Sequence, residues 1–278
     1  MKPLPALVLV ALLSATTAPA APSNGTGTGQ PVSNDTTFNY GLSSFLGSGI
    51  YSVSGQAVQL YRVPVTIRLG DDSAPAPEFY AQFPVTFGFY NFTPEDVLQL
   101  QVPHSLDTVS GLAGLETRLT LNEQWRYLQL GAVGYTKAAG QPDKRLIGTQ
   151  VALERISPWG DWNTRYRAEV LDALSGGGPG GTDTIVRLLQ GVEFDRPQSW
   201  QVLNRQAAIG TYGVVRYYPG AVAFTSSNAP VRLETEAGLT FGTAEPIRVL
   251  TLPLPRLSLG YRRAANLNVF FLGFGTPF

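Results

Sequence analysis

The sequence predicts an all-β protein, a single closed antiparallel transmembrane β-barrel of about twelve strands. Three observations predict this fold. Apolar and polar residues alternate from residue 38 onward, as they do in β-strands. Most alternating segments run about 10–14 residues, which exceeds the usual soluble strand and lets a tilted strand cross a bilayer. The polar positions carry arginine and glutamate with almost no lysine, which favours an enclosed space over a solvated surface.

Residues 1–20 are predicted to be a secretory signal peptide. Lys2 provides a positive start, residues 4–13 form an apolar run, and residues 18–20 are small enough for a cleavage site. As a helix this run spans about 15 Å, too little for the roughly 30 Å of hydrocarbon in a bilayer. Residues 21–37 are rich in Gly, Ser, Thr, Asn and Pro and are predicted to be a flexible lead-in.

Residues 38–278 are predicted to form the barrel. In the segment FYAQFPVTFGF (79–89), apolar side chains occupy every odd position, whereas Gln82, Thr86 and Gly88 lie on the other face. Counted in this way, the predicted strands lie near 38–46, 58–69, 79–90, 109–121, 124–137, 146–156, 162–172, 184–195, 204–218, 230–242, 248–262 and 267–278. Closure into a barrel leaves no unpaired sheet edge. An exported all-β sandwich or solenoid would also alternate and is the competing fold.

The polar faces are predicted to line the lumen, because a transmembrane barrel turns apolar side chains toward lipid. Ten arginines and six glutamates share this face: Arg62, Arg68, Glu116, Arg118, Glu154, Arg165, Arg167, Glu169, Arg187, Glu193, Arg216, Arg232, Glu234, Glu236, Arg256 and Arg262. One interpretation is a ladder of ion pairs that fills and stiffens the interior. The other is a charged constriction that selects solutes and, with its excess of arginine, prefers anions.

The connections favour a membrane orientation, because outer-membrane barrels have short periplasmic turns and longer outer loops. The short turns near 122–123, 157–161 and 243–247 fall on one side. The segments 91–108, 175–183 and 219–229 fall on the other side and are longer. The nine-residue stretch 70–78 is an exception, since it lies on the side of the short turns.

The chain ends on NVFFLGFGTPF (268–278), which places Phe270, Leu272, Phe274 and Phe278 on one face. An alternating apolar last strand with a C-terminal Phe resembles the sorting signature of Gram-negative outer-membrane barrels. The resemblance implies that these four residues form a C-terminal sorting strand, face lipid, and are read by the barrel-assembly machinery.

With twelve strands after a short lead-in, residues 38–278 resemble the translocator barrels of autotransporters. About 17 residues separate the signal from the first strand, so a passenger domain is expected to be missing. The chain therefore resembles the solitary autotransporter-like outer-membrane barrel group. This resemblance implies a monomer in outer-membrane lipid of a Gram-negative bacterium, with a structural or surface-interaction role through its outer loops. A narrow, weakly anion-selective, porin-like channel is the alternative.

No enzyme activity, cofactor or metal is predicted. The single histidine, His104, lies beside Ser105 and Asp107, but neighbouring residues of an extended segment point in opposite directions. An outer-membrane hydrolase is thus the least favoured function. The chain has no cysteine, and its acidic pairs are too sparse for a calcium site. Its net charge of zero argues against a nucleic-acid partner.

Overall fold

The computed structural model describes most of the chain after residue 39. The described residues are 40, 43–46, 48–53, 56–70, 77–92, 107–177, 182–222, 230–244, 248–249, 252–253, 256–265, 267–274 and 277–278. The predicted signal peptide, the predicted lead-in and His104 lie outside them.

The described residues form one short helix, α1 (Ser43–Leu46), and a succession of strands. The strands are β1 (Gly49–Val53), β2 (Gln56–Val63), β3 (Thr66–Leu69), β4 (Glu78–Gln82), β5 (Val85–Phe92), β6 (Thr108–Thr120), β7 (Trp125–Ala138), β8 (Lys144–Trp159), β9 (Trp162–Gly176), β10 (Asp183–Val202), β11 (Arg205–Val222), β12 (Val231–Thr243), β13 (Arg248–Val249), β14 (Leu252–Pro253), β15 (Leu257–Ala264) and β16 (Leu267–Phe274). Within this part of the chain, no helix is long and apolar enough to cross a membrane.

The main sheet closes on itself. Its strand order is β3-β4-β6-β5-β2-β1-β16-β15-β12-β11-β10-β9-β8-β7, and β7 also pairs with β6. Only two residues separate β2 from β3, and only two separate β4 from β5. Each pair is therefore counted as one strand. Counted in this way, twelve antiparallel strands form the barrel, and β1 pairs with β16 to complete it. The predicted closed antiparallel barrel of about twelve strands is confirmed.

Proline accounts for both interruptions. Pro64 separates β2 from β3, and Pro84 separates β4 from β5. Proline has no N–H to donate to the ladder, so a strand tends to break where it occurs. The pairing resumes around each break, since Phe83 N donates to Val65 O at 2.8 Å and Leu112 N donates to Pro84 O at 3.0 Å.

The two ends of the barrel differ in the length of their connections. At the short-turn end, β6–β7, β8–β9 and β10–β11 are joined by residues 121–124, 160–161 and 203–204. β16 also finishes at this end. At the long-loop end, β5–β6 and β11–β12 are joined by residues 93–107 and 223–230. Residues 70–77 and 244–256 are longer connections at the short-turn end, and residues 54–55 and 265–266 are two-residue connections at the long-loop end, so the asymmetry expected from the sequence holds only in part.

The faces of the sheet are the reverse of those in a soluble protein. On β9, Glu169 is 6% exposed, whereas Val170 is 48% exposed and Leu174 41%. The same alternation of exposed apolar and buried side chains runs along β8 and β10. The outer surface is therefore apolar, and buried charges lie inside the barrel.

The predicted first strand at 38–46 is wrong. Residues Ser43–Leu46 form α1, and the first strand is Gly49–Val53. Phe45 is buried in the lumen with Leu146 and Leu171, so interior packing rather than strand pairing determines the structure here. The predicted strand 248–262 is also divided, because β13 and β14 pair only with each other and β15 begins at Leu257.

Closure through β1 and β16 can be tested with a disulfide. Ser52 and Asn268 are direct partners in this antiparallel pair. Partners of this kind have Cα atoms about 4.5–5.5 Å apart, within the range that a disulfide spans. The chain has no cysteine, so we expect the double variant Ser52→Cys/Asn268→Cys to lose both free thiols on oxidation. The control Ser52→Cys/Asn163→Cys places its cysteines on β1 and on β9, which do not pair, and should keep both free thiols. Equal thiol loss in both variants would contradict closure.

Candidate functional site in the barrel lumen

The lumen contains nearly all the charges expected there. Fifteen of the sixteen predicted residues are buried or half-buried on the inward face, and the exception is Arg232, which is exposed. The reason is a register irregularity in the β11–β12 pair between Tyr217 and Val222. Val231 and Glu234 are both buried although they lie three residues apart. A bulge of this kind changes which residues face inward, and Arg232 is left on the outer face.

The most buried charge cluster links β11, β12 and β15. Arg216 Nη1 lies 2.7 Å from Glu236 Oε2, and Arg262 Nε lies 2.8 Å from the same oxygen. Tyr212 donates its hydroxyl hydrogen to Glu236 Oε1 at 3.0 Å. Glu234 accepts from the Tyr218 hydroxyl at 3.0 Å. Glu236 thus holds two arginines and a tyrosine, and Glu234 Oε2, 3.9 Å from Arg262 Nη1, supplies the second carboxylate that balances their charge where water has little access.

A second cluster ties the wall to α1. Glu169 lies 2.6 Å from Arg187 Nη2 and 2.9 Å from Arg167 Nη2. Gln150 also donates its amide to Glu169 at 3.0 Å. Arg187 Nη1 donates to the backbone oxygen of Phe45 at 3.1 Å. The same arginine therefore neutralises a wall carboxylate and holds the helical segment inside the barrel.

A third cluster lies nearer the short-turn end. Arg256 contacts Glu193 at 3.5 Å and Asp195 at 3.2 Å. Arg165 joins Glu193 at 3.7 Å and Glu154 at 3.6 Å. Asp195 was missed in the sequence reading, although it follows Glu193 by two positions and so shares its face. That spacing was the signal that could have revealed it.

A fourth cluster occupies the wall formed by β3, β4 and β6. Arg68 pairs with Glu78 at 3.3 Å, which adds a second carboxylate that the sequence reading missed. Arg118 pairs with Glu116 and lies 4.0 Å from the centre of the Tyr80 ring. Within the described residues no group of three or more potential metal ligands occurs. The lumen is a set of ion-pair networks distributed around the wall.

An apolar cluster centred on Phe45 occupies the half of the lumen nearer the long-loop end. Its buried members are Phe45, Val58, Leu60, Leu112, Leu146, Leu171, Ala173, Ile185, Tyr218, Val222, Val231 and Val269. Gly148 makes room for the ring, because a Cβ there would lie 2.9 Å from Phe45 Cε1.

The segment before α1 reaches the long-loop end. The Tyr40 hydroxyl donates to Pro142 O at 2.6 Å, in the β7–β8 connection. Lys144 lies 5.0 Å from the Tyr40 ring and pairs with Asp183 at 2.5 Å. Burial raises the pKa of the Tyr40 phenol, so it stays a neutral donor at physiological pH.

The C-terminal residue differs from its expected position. Phe270 faces outward and is 65% exposed, but Phe278 packs inside against Leu189, Tyr212 and Val214. A Cβ on Gly191 would lie 2.6 Å from Phe278 Cδ1, so this glycine leaves space for the ring. The expectation that Phe278 faces lipid is corrected: β16 ends four residues earlier, and strand alternation no longer determines where the ring points. The side chains of the expected partners Leu272 and Phe274 lie outside the described set.

Comparison with known proteins finds similarity among solved structures alone. No protein-family model and no curated protein sequence matches the chain. Among solved structures, it is similar to the beta domain of the Bordetella autotransporter BrkA, with 15% identity and a TM-score of 0.43. The match covers 83% of this chain and 96% of that one. A likeness at this score says nothing about function, and the barrel stands on its own strand pairing.

The Glu236 cluster should be important for stability. We expect Glu236→Gln to lower the free energy of unfolding by about 3–5 kcal/mol, because it leaves Arg216 and Arg262 buried without their shared carboxylate. Urea titration of the folded protein in detergent micelles, followed by circular dichroism, measures the change. Arg232→Gln is the matched control, because Arg232 is exposed and should change stability by less than about 0.5 kcal/mol. Equal effects of the two substitutions would contradict the cluster's role.

Proposed function

We propose that this chain is a membrane-spanning barrel of a bacterial outer membrane, autotransporter-like in its barrel, with a closed lumen. Its role is structural or surface-interacting, through the connections at the long-loop end. The observation that carries the proposal is the reversal of faces: apolar side chains cover the outside, while the charged clusters are buried within. A soluble sheet in water has no reason for this arrangement, whereas lipid requires it.

The height of the apolar surface supports this proposal. On β8, the exposed residues Arg145 and Arg155 lie ten positions apart. The outward positions between them are uncharged: Ile147, Thr149, Val151 and Leu153. Ten residues at about 3.3 Å each span about 33 Å along the strand. A tilt of about 40° reduces this length to about 25 Å, the height of the apolar band on outer-membrane barrels.

One charged residue interrupts this band. Asp172 on β9 is exposed and pairs in register with Thr149 and Val186. An acidic side chain on the lipid face is less costly than arginine or lysine at the same depth. Asp172 is therefore compatible with a membrane position, at a cost in stability.

The interior supports a closed rather than an open barrel. Phe45 and its apolar neighbours occupy the half of the lumen nearer the long-loop end, and Phe278 packs against wall residues nearer the short-turn end. The ion-paired clusters lie around and between these rings. The arginines pair mainly with carboxylates, so little net charge is left to hold a continuous column of water, although a few buried atoms among the described residues, such as Glu193 Oε2, make no hydrogen bond.

We base the orientation on the connections 93–107 and 223–230 and on the end of β16, which lies at the opposite end of the barrel. We assign the short-turn end to the periplasm and the long-loop end to the exterior, as in other barrels of this architecture. Export by the signal peptide and insertion by the barrel-assembly machinery, through the C-terminal strand, are part of this proposal. The outward Phe270 on the last strand supports the latter. The long connections are then the surface through which the protein contacts its surroundings.

The proposed role does not include catalysis. The lumen carboxylates accept hydrogen bonds from arginine, tyrosine and glutamine rather than flanking a nucleophile and a base. His104 is the remaining candidate for a general base. We expect the purified protein to hydrolyse neither ester nor phospholipid substrates, and His104→Ala to behave in the same way. Hydrolysis that disappears in this variant would overturn the assignment.

A narrow channel is the second candidate. A small, partly open cavity of about 40 Å³ lies beside Phe45, lined by Arg62, Gln82, Gln150 and Arg187. Solute passage through this cavity would favour the channel. Its preference for anions would be slight, because Arg232 faces outward and Glu78 and Asp195 add carboxylates to the lumen.

Membrane insertion can be tested by fractionation. We expect the protein in the outer-membrane fraction after expression in a Gram-negative host, and a heat-modifiable band when unboiled samples are run on a gel. Such bands arise because a closed barrel stays folded in detergent until heated. Recovery in the soluble periplasmic fraction, with no shift of the gel band on heating, would contradict the proposal.

Closure of the lumen can be tested by conductance in planar bilayers. We expect near-zero conductance for the natural sequence, and openings when Phe45→Ala and Phe278→Ala are combined, because both interior rings are then removed. Phe270→Ala is the matched control, since this ring is exposed on the outer face. Steady openings of the natural protein would favour the channel instead.

A further inference from the structure

We propose that the outer surface of β7–β10 at the short-turn end binds the phosphate groups of anionic glycerophospholipids. This inference rests on the proposed membrane position. It adds a specific lipid site on one side of the barrel, where membrane insertion alone requires only an apolar surface.

The tryptophans mark this surface. The chain has four tryptophans, and all of them lie at the short-turn end of four consecutive strands: Trp125 on β7, Trp159 on β8, Trp162 on β9 and Trp200 on β10. Tryptophan favours the membrane–water interface, where its ring is in the apolar region and its N–H reaches polar groups. Elsewhere at this end, the exposed residues Leu69, Phe79 and Leu121 are purely apolar.

Two arginines accompany the tryptophans. The Arg155 guanidinium lies 5.7 Å from the centre of the Trp125 ring, and the Arg196 guanidinium lies 6.0 Å from that of Trp162. We call these two pairs the Arg–Trp belt. A guanidinium within about 6 Å of an aromatic ring centre is attracted to the face of the ring while its N–H groups stay available. A planar guanidinium in this position matches a phosphate through two parallel hydrogen bonds.

The charge of the belt is available to an anion. Arg155 donates to the neutral Gln124 Oε1 at 3.3 and 3.1 Å. Arg196 pairs with Asp161 at 3.3 Å, but the side chains are 50% and 80% exposed, so this pair exchanges readily with other ions. The belt therefore carries net positive charge next to the apolar band, as a lipid phosphate requires.

Position selects a lipid over other anionic partners. Arg155 is the lower boundary of the uncharged outward run on β8, so its guanidinium lies where acyl chains meet headgroups. Trp159 packs against Phe194 on β10, with ring centres 5.8 Å apart, which continues the apolar surface up to the arginines. A soluble anion would gain nothing from this apolar wall, whereas a phospholipid contacts both parts.

The tryptophans also provide the measurement. Because all four lie at one end, selectively excited tryptophan fluorescence reports on the belt. The protein is reconstituted into vesicles of phosphatidylcholine that contain a fraction of brominated phosphatidylglycerol or, separately, the same fraction of brominated phosphatidylcholine. We expect stronger quenching by the phosphatidylglycerol. Arg155→Gln and Arg196→Gln should each reduce the relative association constant roughly fivefold, because each arginine near an anionic surface contributes on that scale.

The controls separate the belt from general attraction to anionic lipid. Arg145→Gln and Arg263→Gln change exposed arginines at the long-loop end and should keep the excess quenching. Equal quenching by the two lipids in the natural protein, or an excess that survives loss of both belt arginines, would overturn the lipid site. Heat-modifiability is measured on every sample. If the two brominated lipids quench equally but the protein is heat-modifiable, only the lipid site is refuted. If the protein shows no heat shift, membrane insertion is refuted.

Discussion

The pairing of β1 with β16 is the constraint on which the rest of the structure depends. An open sheet of this size would expose two rows of unpaired N–H and C=O groups, which hydrocarbon does not tolerate. Closure removes both edges and divides every strand into an inward and an outward face. Once the outside is mainly apolar, most of the charges on the strands lie inside. Because a buried charge without a partner is costly, the inside must then be paired, as Glu236 is with Arg216 and Arg262.

The dominance of arginine follows from this enclosure. Arginine presents several N–H donors in a rigid plane, so one side chain can serve two acceptors, as Arg187 does with Glu169 and the Phe45 carbonyl. Lysine, a compact and strongly hydrated charge, occurs in the described strands only near the long-loop end, at positions such as Lys144. The excess of arginine over lysine therefore reflects the number of charged side chains that lie away from bulk water.

Strand number, barrel closure and the inward placement of most charges were predictable, because a period of two assigns faces without knowledge of tertiary contacts. Prediction failed where the backbone leaves the regular ladder. Arg232 follows a register irregularity, and Phe278 lies beyond the end of β16. Phe45 lies in a helical turn whose position depends on residues far along the chain, such as Gly148 and Arg187. Alternation carries no information about such long-range packing, so the interior rings could not be placed from the sequence.

The location of α1 has a consequence for how the molecule folds. α1 ends three residues before β1, and β1 is one of the two strands that complete the ring. Its contact with Arg187 joins residues 142 positions apart in the chain. Contacts between such distant residues form slowly, since the intervening chain must first be ordered. Only two residues separate the helical turn from β1, so its position is tied to the strand that completes the ring. We therefore infer that filling the interior and sealing the wall are coupled steps that come late in folding.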